Sequence, residues 1–197
     1  MLSTALTFLP FAFVLSITPG PNNVMVTASG ANFGYWRTVP HMLGITAGVP
    51  VMMALMGAGL GELFLAYPVM HQAMKHAGAL YLLYFAWRVA HAGHDEDTGA
   101  SGKPMTFLQG ALFQWINVKA WFIAIGAVTT YTTVGGDTFA EIAALCAVFA
   151  LACYPSVTIW TLFGMAIRRW LTSNRALKAF NWSMAALLVL SLIPALS

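Results

Sequence analysis

The sequence predicts an all-α membrane protein with six transmembrane helices. Of its 197 residues, 59% are hydrophobic and only 8% are charged, and the mean hydropathy is +0.75. A soluble domain carries about 25% charged residues. The few charges are clustered, and the stretch 142–167 has none. Several apolar runs also reach the length of about 20 residues that an α-helix needs to cross a bilayer about 30 Å thick.

Six apolar runs follow one another along the chain. They cover 2–31, 41–66, 69–90, 107–130, 139–167 and 179–196. The first run has no basic segment before it and no small-residue cleavage site, so we interpret it as a retained helix and not a signal peptide. We expect one integral membrane domain over 1–197, with a first half at 1–92, a hydrophilic loop at 93–106 and a second half at 107–197.

Lysine and arginine are concentrated in alternate loops, which is typical of cytoplasmic loops in membrane proteins. Lys75 is the one basic loop residue on the opposite side, and Lys119 lies inside a run. The basic residues in or beside the loops after the first, third and fifth runs are Arg37, Arg88, Lys103, Arg168, Arg169, Arg175 and Lys178. This asymmetry places both termini outside the cytoplasm. The same basic loops account for the net charge of +3. We therefore expect the lipid bilayer, and no nucleic acid, as a partner.

Three spans in each half require that the second half is inserted upside down relative to the first. Such 3+3 inverted repeats are common in transporters, whose substrate sites lie near the midplane where helices are broken. The first run is interrupted at 19–23, and its counterpart, the fourth, carries Gln114, Asn117 and Lys119 in an apolar context. The sequence therefore predicts an inverted repeat with broken helices 1 and 4.

The interruption of the first run is Pro19-Gly20-Pro21, followed by Asn22 and Asn23. Each proline removes a helix donor and clashes with the preceding turn. We expect the helix to unwind here and a second half-helix to start near Asn22 or Asn23, either of which can cap it. The free amides at such a helix start suit a carboxylate. The alternative is a structural kink.

Lys119 lies about twelve residues into the fourth run, near the middle of the bilayer. A lysine at this depth costs about 2.5–3.5 kcal/mol on insertion scales. Since no acidic residue lies in the apolar body of any run, its expected partners are backbone carbonyls, water or an anionic ligand, with Gln114 and Asn117 nearby. Burial disfavours the charged form of a lysine, so exchange between a substrate carboxylate and a proton is a second hypothesis. The alternative is snorkelling to an interface.

Two further features have competing interpretations. Tyr154-Pro155-Ser156 interrupts the fifth run, and Tyr154 and Trp160 either line a cavity there or pack in a core beside a proline kink. Gly44 and Gly48 lie four residues apart in the second run. Such pairs let helix backbones approach closely, either within the chain or in a homodimer.

Enzyme signatures are missing from the sequence. It contains no nucleophile elbow, no zinc-protease motif, no phosphate-binding lysine loop and no dinucleotide fingerprint. The loop with His91, His94, Asp95, Glu96 and Asp97 offers a divalent metal site as an alternative, but a solvated loop explains the same composition. We therefore expect no enzymatic activity, no cofactor and no resident metal.

Several segments together resemble the lysine exporter (LysE-type) family of amino-acid exporters over essentially the whole chain. They are Ser16-Ile17-Thr18-Pro19-Gly20-Pro21-Asn22-Asn23, Ala31-Asn32-Phe33-Gly34 with Arg37, the third-run segment from Gly78 to Arg88, the segment from Gln114 to Trp121, and Phe180-Asn181. Val118 departs from the family's usual proline. An Asn-Val-Lys version is similar to the branch that exports cysteine and O-acetylserine.

The resemblance implies a six-helix inner-membrane exporter of amino acids or close derivatives, driven by a proton or ion gradient. The matching motif positions are Pro19, Gly20, Pro21, Asn22, Asn117 and Lys119. With Asn23, Gln114 and Tyr154 they form our predicted substrate site, in which the half-helix near Asn22 and Lys119 hold a carboxylate. A small-ion or metal carrier and a membrane scaffold subunit remain alternatives.

Overall fold

The computed structural model describes residues 2–60, 68–92, 103–133 and 137–192, and within these ranges the chain forms helices and no β-strand. The α-helices of the described ranges are α1 (Leu2–Ile17), α2 (Pro21–Phe33), α3 (Tyr35–Leu55), α4 (Pro68–Ala90), α5 (Phe107–Phe113), α6 (Val118–Tyr131), α7 (Thr138–Trp170) and α8 (Asn174–Leu190). A π-helical turn, Met56–Leu60, extends α3, and a 3-10 turn, Gln114–Ile116, joins α5 to α6. The predicted all-α class is confirmed.

Two described helices are long and apolar enough to cross a bilayer, Tyr35–Gly59 and Thr138–Trp170. The bent pair Phe107–Ile116 and Val118–Tyr131 adds a third candidate if it counts as one span, and Leu6–Ile17 and Ala79–Ala90 are shorter apolar helices. These helices agree with a membrane protein. The six-span repeat stays a prediction.

The first predicted break is present between α1, which ends at Ile17, and α2, which begins at Pro21. The prediction that Asn22 or Asn23 caps the second half-helix is wrong. Gly20 occupies the N-cap position with extended backbone and no side-chain cap. Pro21 occupies the first helical position, where its missing N–H costs nothing. Because α2 starts at Pro21, Asn23 already lies inside its first turn.

The second predicted break is also present. The axis bends by 76° between Phe107–Ile116 and Val118–Tyr131. Asn117 has extended backbone angles (φ −91°, ψ 105°), and its side-chain oxygen accepts a hydrogen bond of 3.2 Å from the backbone N–H of Lys119. This cap supplies an acceptor to the new helix start. The break therefore forms with Val118 in place of a proline.

The predicted break in the fifth run is wrong, because α7 continues through Pro155 from Thr138 to Trp170. Pro155 is exposed on this helix, while α7 packs against α1, α2 and α3. Packing along these three partners keeps α7 helical through Pro155 despite the missing backbone hydrogen bond.

The described helices pack around two apolar cores. The main core lies among α1, α2, α3, α6 and α7 and includes Phe8, Met52 and Phe149. The second core lies among α2, α4, α5 and α8; its buried members are Met25, Ala28, Leu82, Phe85, Ala86, Val89, Ala90, Met105, Phe113, Ala185, Leu188 and Leu192. Helices α4 and α8 pack extensively on each other. They therefore form a pair beside the helices of the main core.

Small residues mark the places where helices approach most closely. A Cβ on Gly48 would lie 2.7 Å from the Gln114 Cγ atom, and one on Gly44 would overlap the backbone carbonyl of Phe107. The pair Gly44 and Gly48 thus packs α3 against α5 within the chain. This glycine pair is therefore not available as a dimer surface. The homodimer itself stays a prediction.

Candidate substrate site at two helix breaks

Lys119 lies in the first turn of α6, immediately after the second break. Its ammonium group donates hydrogen bonds to the backbone oxygen of Thr18 at 2.6 Å and to the Thr18 hydroxyl at 2.9 Å. Thr18 follows the last residue of α1, so the positive charge lies at the negative end of that helix dipole. The expected backbone-carbonyl partner of Lys119 is therefore present, and it comes from the other break.

Gln114 and Asn22 form a reciprocal amide pair between the two breaks. The Asn22 side-chain nitrogen donates to the Gln114 oxygen at 2.8 Å, and the Gln114 nitrogen donates back at 3.1 Å. Gln114 is fully buried and also donates to the Gly110 carbonyl at 2.9 Å and accepts from Asn117 at 3.4 Å. Both donors and both acceptor sites of this amide are occupied. Asn22 and Gln114 therefore fix the two broken helices to each other.

The carbonyl groups at the end of α1 are bonded by side chains from elsewhere in the site. The Asn23 side chain donates to the carbonyls of Ser16 at 3.0 Å and Thr18 at 2.7 Å, and the Trp160 indole donates to Ile17 at 2.9 Å. Buried backbone acceptors need such partners. Asn23 thus stabilises the end of α1 instead of the start of α2.

Two cavities meet at Lys119. The small polar cavity, about 30 Å³, is lined by Ser16, Gly20, Asn22, Asn23, Gln114, Asn117, Lys119, Cys153 and apolar neighbours from α1, α3, α6 and α7. The large cavity, about 670 Å³, is lined by Phe11, Leu15, Pro19, Gly20, Pro21, Ala79, Leu82, Ile116, Asn117, Val118, Lys119, Phe122, Ser191 and Leu192. No acidic residue of the described chain appears in either lining. Lys119 and Asn117 border both cavities, so the lysine lies at the wall between them.

Gly20 also lines both cavities and so belongs to the same wall. A Cβ at this position would lie 3.2 Å from the Cδ atom and 3.3 Å from the ammonium nitrogen of Lys119. These distances are tighter than ordinary contacts, so a side chain at Gly20 would press on Lys119. The glycine keeps the path between the lysine and the start of α2 clear.

The structure brings together eight of the nine predicted site residues, since each of them lines one or both cavities. Tyr154 is the exception. Its hydroxyl lies 3.2 Å from the hydroxyl of Tyr35, and its ring packs against the main core. Its substrate contact stays a prediction.

Sequence reasoning missed the roles of Thr18 and Ser16. Thr18 supplies both acceptors for Lys119, and the buried Ser16 lines the small polar cavity. The available signal was position: residues just before a helix break must expose their carbonyls. No cluster of three or more potential metal ligands occurs in the described ranges. The alternative metal loop lies largely outside them, at 93–102.

Comparisons with a family model and with known proteins point to the same family. The family model of LysE type translocators matches residues 13–192. The chain is 24% identical to the cysteine/O-acetylserine efflux proteins of Escherichia coli K12 and Shigella sonnei, and 25% identical to that of Escherichia coli O157:H7. Each alignment covers 82% of this chain and 83% of the relative. No solved structure matches the chain. With this match extending over both helix breaks, the chain belongs to the LysE type translocator family of transport proteins, which are not enzymes.

Proposed function

We propose that this protein is a secondary transporter that exports amino acids or close derivatives across the bacterial inner membrane, coupled to the proton gradient. One observation carries the proposal: the ammonium group of Lys119 lies at the junction of two broken helices, and no acidic residue of the described ranges lines either cavity there. A cation inside a membrane-spanning segment is costly without a carboxylate partner. An anionic substrate supplies the missing charge.

The substrate carboxylate binds beside Lys119, at the start of α2. This helix has 13 residues and no side-chain cap on its first amides, and its dipole favours a negative charge at that end. The lysine approaches Gly20 at the same helix start. A carboxylate here replaces Thr18 as the partner of the ammonium group.

The large cavity accommodates the rest of the substrate. Its volume of about 670 Å³ lies within the range of about 300–1,000 Å³ that is common for small-molecule sites. The efflux activity for cysteine and O-acetylserine in the names of the relatives supports small amino acids and their acyl derivatives as the substrate class. Polar groups on the wall orient the charged end, while apolar side chains such as Phe11 and Phe122 surround the side chain.

The basic loops face the cytoplasm, and both termini are periplasmic. Hydrogen bonds bring the ends of the relevant helices together, since Asn181 of α8 contacts Asn32 of α2 and the carbonyl of Ala92 after α4. We call this region the basic end. Exposed tryptophans lie at the same end: Trp36, Trp87 and Trp170 adjoin basic residues in sequence, and the ring of Trp182 lies 5.9 Å from that of His91, just after α4. Tryptophan and basic residues at one level are typical of a membrane interface.

The two halves form a 3+3 inverted repeat of six spans. The breaks at Gly20 and Asn117 lie inside the first and fourth runs, and each precedes the start of a new helix. Their direct contacts through Lys119 and Gln114 are those expected for half-helices that meet at a central site. The site around Lys119 carries the substrate outward and a proton inward in alternate halves of the cycle, as coupling of export to the proton gradient requires.

Transport in proteoliposomes with an imposed pH gradient tests the proposal. The substrates are labelled cysteine, O-acetylserine, threonine, homoserine, lysine and arginine. The chains are the wild type, Lys119→Ala and the control Lys178→Ala, which removes an exposed lysine from α8. We expect the wild type and the control to transport one substrate class and Lys119→Ala to transport none. Equal transport by all three chains contradicts the role of Lys119, and no transport by the wild type favours an ion carrier or a scaffold.

A further inference from the structure

Helices α4 and α8 contact the rest of the described chain along one seam. The second core fills this seam between the α4 and α8 pair on one side and α2 and α5 on the other. Among the residues whose burial the structure describes, none from α4 or α8 belongs to the buried set of the main core. The pair can therefore shift against the other helices without opening the main core.

Two cavities lie along the same seam, one on each side of the second core. The large cavity touches Leu82 and Leu192, which belong to that core. A third cavity at the basic end, the basic-end cavity, touches Phe85 and Val89 of the same core and is lined as well by Ala28, Ser29, Asn32, Phe33, Arg88, Ala92, Lys103, Pro104 and Met105. The second core thus separates the site at Lys119 from the basic-end cavity, whose lining includes the cationic side chains of Arg88 and Lys103.

Polar contacts hold the seam closed at the basic end. Asn32 donates to the Asn181 oxygen at 2.8 Å, and Asn181 donates to the Asn32 oxygen at 3.1 Å and to the Ala92 carbonyl at 2.8 Å. Asn181 is fully buried. We call these three residues the amide lock. They join α2 to α8 and to the chain just after α4, so separating the pair from α2 at this end requires their hydrogen bonds to break.

We propose that the translocation path follows this seam and that Asn32 and Asn181 form its inner gate. The inference rests on the proposed export function and deepens it. The structure has a large cavity on the side of Lys119 away from the basic end and a closed seam on the basic side, which is the arrangement of an outward-open carrier. Amino acids enter from the cytoplasm through the basic-end cavity, where Arg88 and Lys103 attract the carboxylate, once the amide lock opens and α4 and α8 move away from α2.

Reversible cross-linking tests the gate in folded protein. In a chain with Cys146→Ala that keeps the buried Cys153, Asn32→Cys and Asn181→Cys are introduced together and joined by a short bis-methanethiosulfonate cross-linker, whose disulfide bonds a reductant cleaves. We expect cross-linking to stop transport and reductant to restore it, because the pair can no longer leave α2. The two single-cysteine chains control for modification at one position.

A matched control pair lies away from the second core and the basic-end cavity. Thr133→Cys, just after α6, and Glu141→Cys, in the first turn of α7, replace residues that are joined by a hydrogen bond of 2.9 Å. Cross-linking this pair is expected to leave transport unchanged. If transport also continues after cross-linking Asn32→Cys to Asn181→Cys, the gate inference is overturned. If the uncross-linked wild type transports nothing, the proposed function fails instead.

Accessibility provides a second measurement that does not depend on the activity of the cysteine pair. Ser29→Cys lies in the basic-end cavity, where the native residue is 5% exposed. Adding Asn181→Ala removes the lock, and we expect a membrane-impermeant maleimide applied from the basic side to label Ser29→Cys several-fold faster. An unchanged labelling rate in chains that elute as folded protein contradicts the gate.

Discussion

The amide pair between Asn22 and Gln114 gives a quantitative prediction. The pair contains two hydrogen bonds, of 2.8 and 3.1 Å, between residues that lie on different broken helices. A neutral hydrogen bond contributes about 0.5–1.5 kcal/mol net, and bonds between membrane helices average about 0.6 kcal/mol. The reciprocal pair should therefore show a coupling free energy of about 1–3 kcal/mol.

A double-mutant cycle measures this coupling. Asn22→Ala, Gln114→Ala and the double variant are unfolded with SDS in mixed micelles, and tryptophan fluorescence reports the free energy of unfolding. Each single variant removes both hydrogen bonds of the pair, so the double variant should cost less than the sum of the two single variants. The control cycle combines Asn22→Ala with Asn181→Ala, which share no hydrogen bond in the structure. Additivity within about 0.5 kcal/mol in the first cycle would refute the account of the site as two helix breaks joined through this pair.

Three further predictions concern the lysine, the closest helix crossing and the second break. Lys119→Met should keep the fold while abolishing gradient-driven transport. The loss of charged hydrogen bonds at about 1.5–3 kcal/mol each is offset by about 2.5–3.5 kcal/mol of avoided insertion cost. Size-exclusion chromatography checks the fold, and pH-driven transport by this variant contradicts the coupling role. Gly30→Ala should lower the free energy of unfolding by about 1–3 kcal/mol, because its Cβ would overlap the Thr161 carbonyl, whereas Gly126→Ala meets only Phe11 at 3.6 Å and should be neutral in the same SDS titration. Asn117→Ala should cost about 0.5–2 kcal/mol through the lost cap, and Asn117→Ser should recover most of it; equal losses for the two variants contradict the cap.

The first helix break could be predicted from sequence because its cause is local. Pro19 and Pro21 lack backbone donors, and no packing can supply them. The start of α2 at Pro21 follows from the same property, since a proline is tolerated in the first turn and disfavoured further in. We predicted a cap from Asn22 or Asn23 by side-chain type alone. The position of Pro21 decides the register and leaves Gly20 as the N-cap residue.

Contacts between distant parts of the chain could not be predicted in the same way. Asn22 and Gln114 are 92 residues apart, and Lys119 and Thr18 are 101 apart. Sequence marked each of these residues except Thr18 as unusual in an apolar run, but their pairing depends on how the two halves pack. The opposite error occurred at Pro155, where a local signal for a break is overridden by the packing of α7 on three other helices.

The saturated amide of Gln114 has a consequence for selectivity. An amide whose donors and acceptors are all occupied by the protein has none to offer a substrate, so discrimination among cargo side chains is left to the walls of the large cavity. Those walls are mainly apolar, with Phe11, Leu15, Leu82 and Phe122 among them. An apolar pocket distinguishes one extra methylene by only about 1–3 kcal/mol. The exporter should consequently select substrates by the size of their side chains. It should accept several small amino acids, all of which must carry the carboxylate.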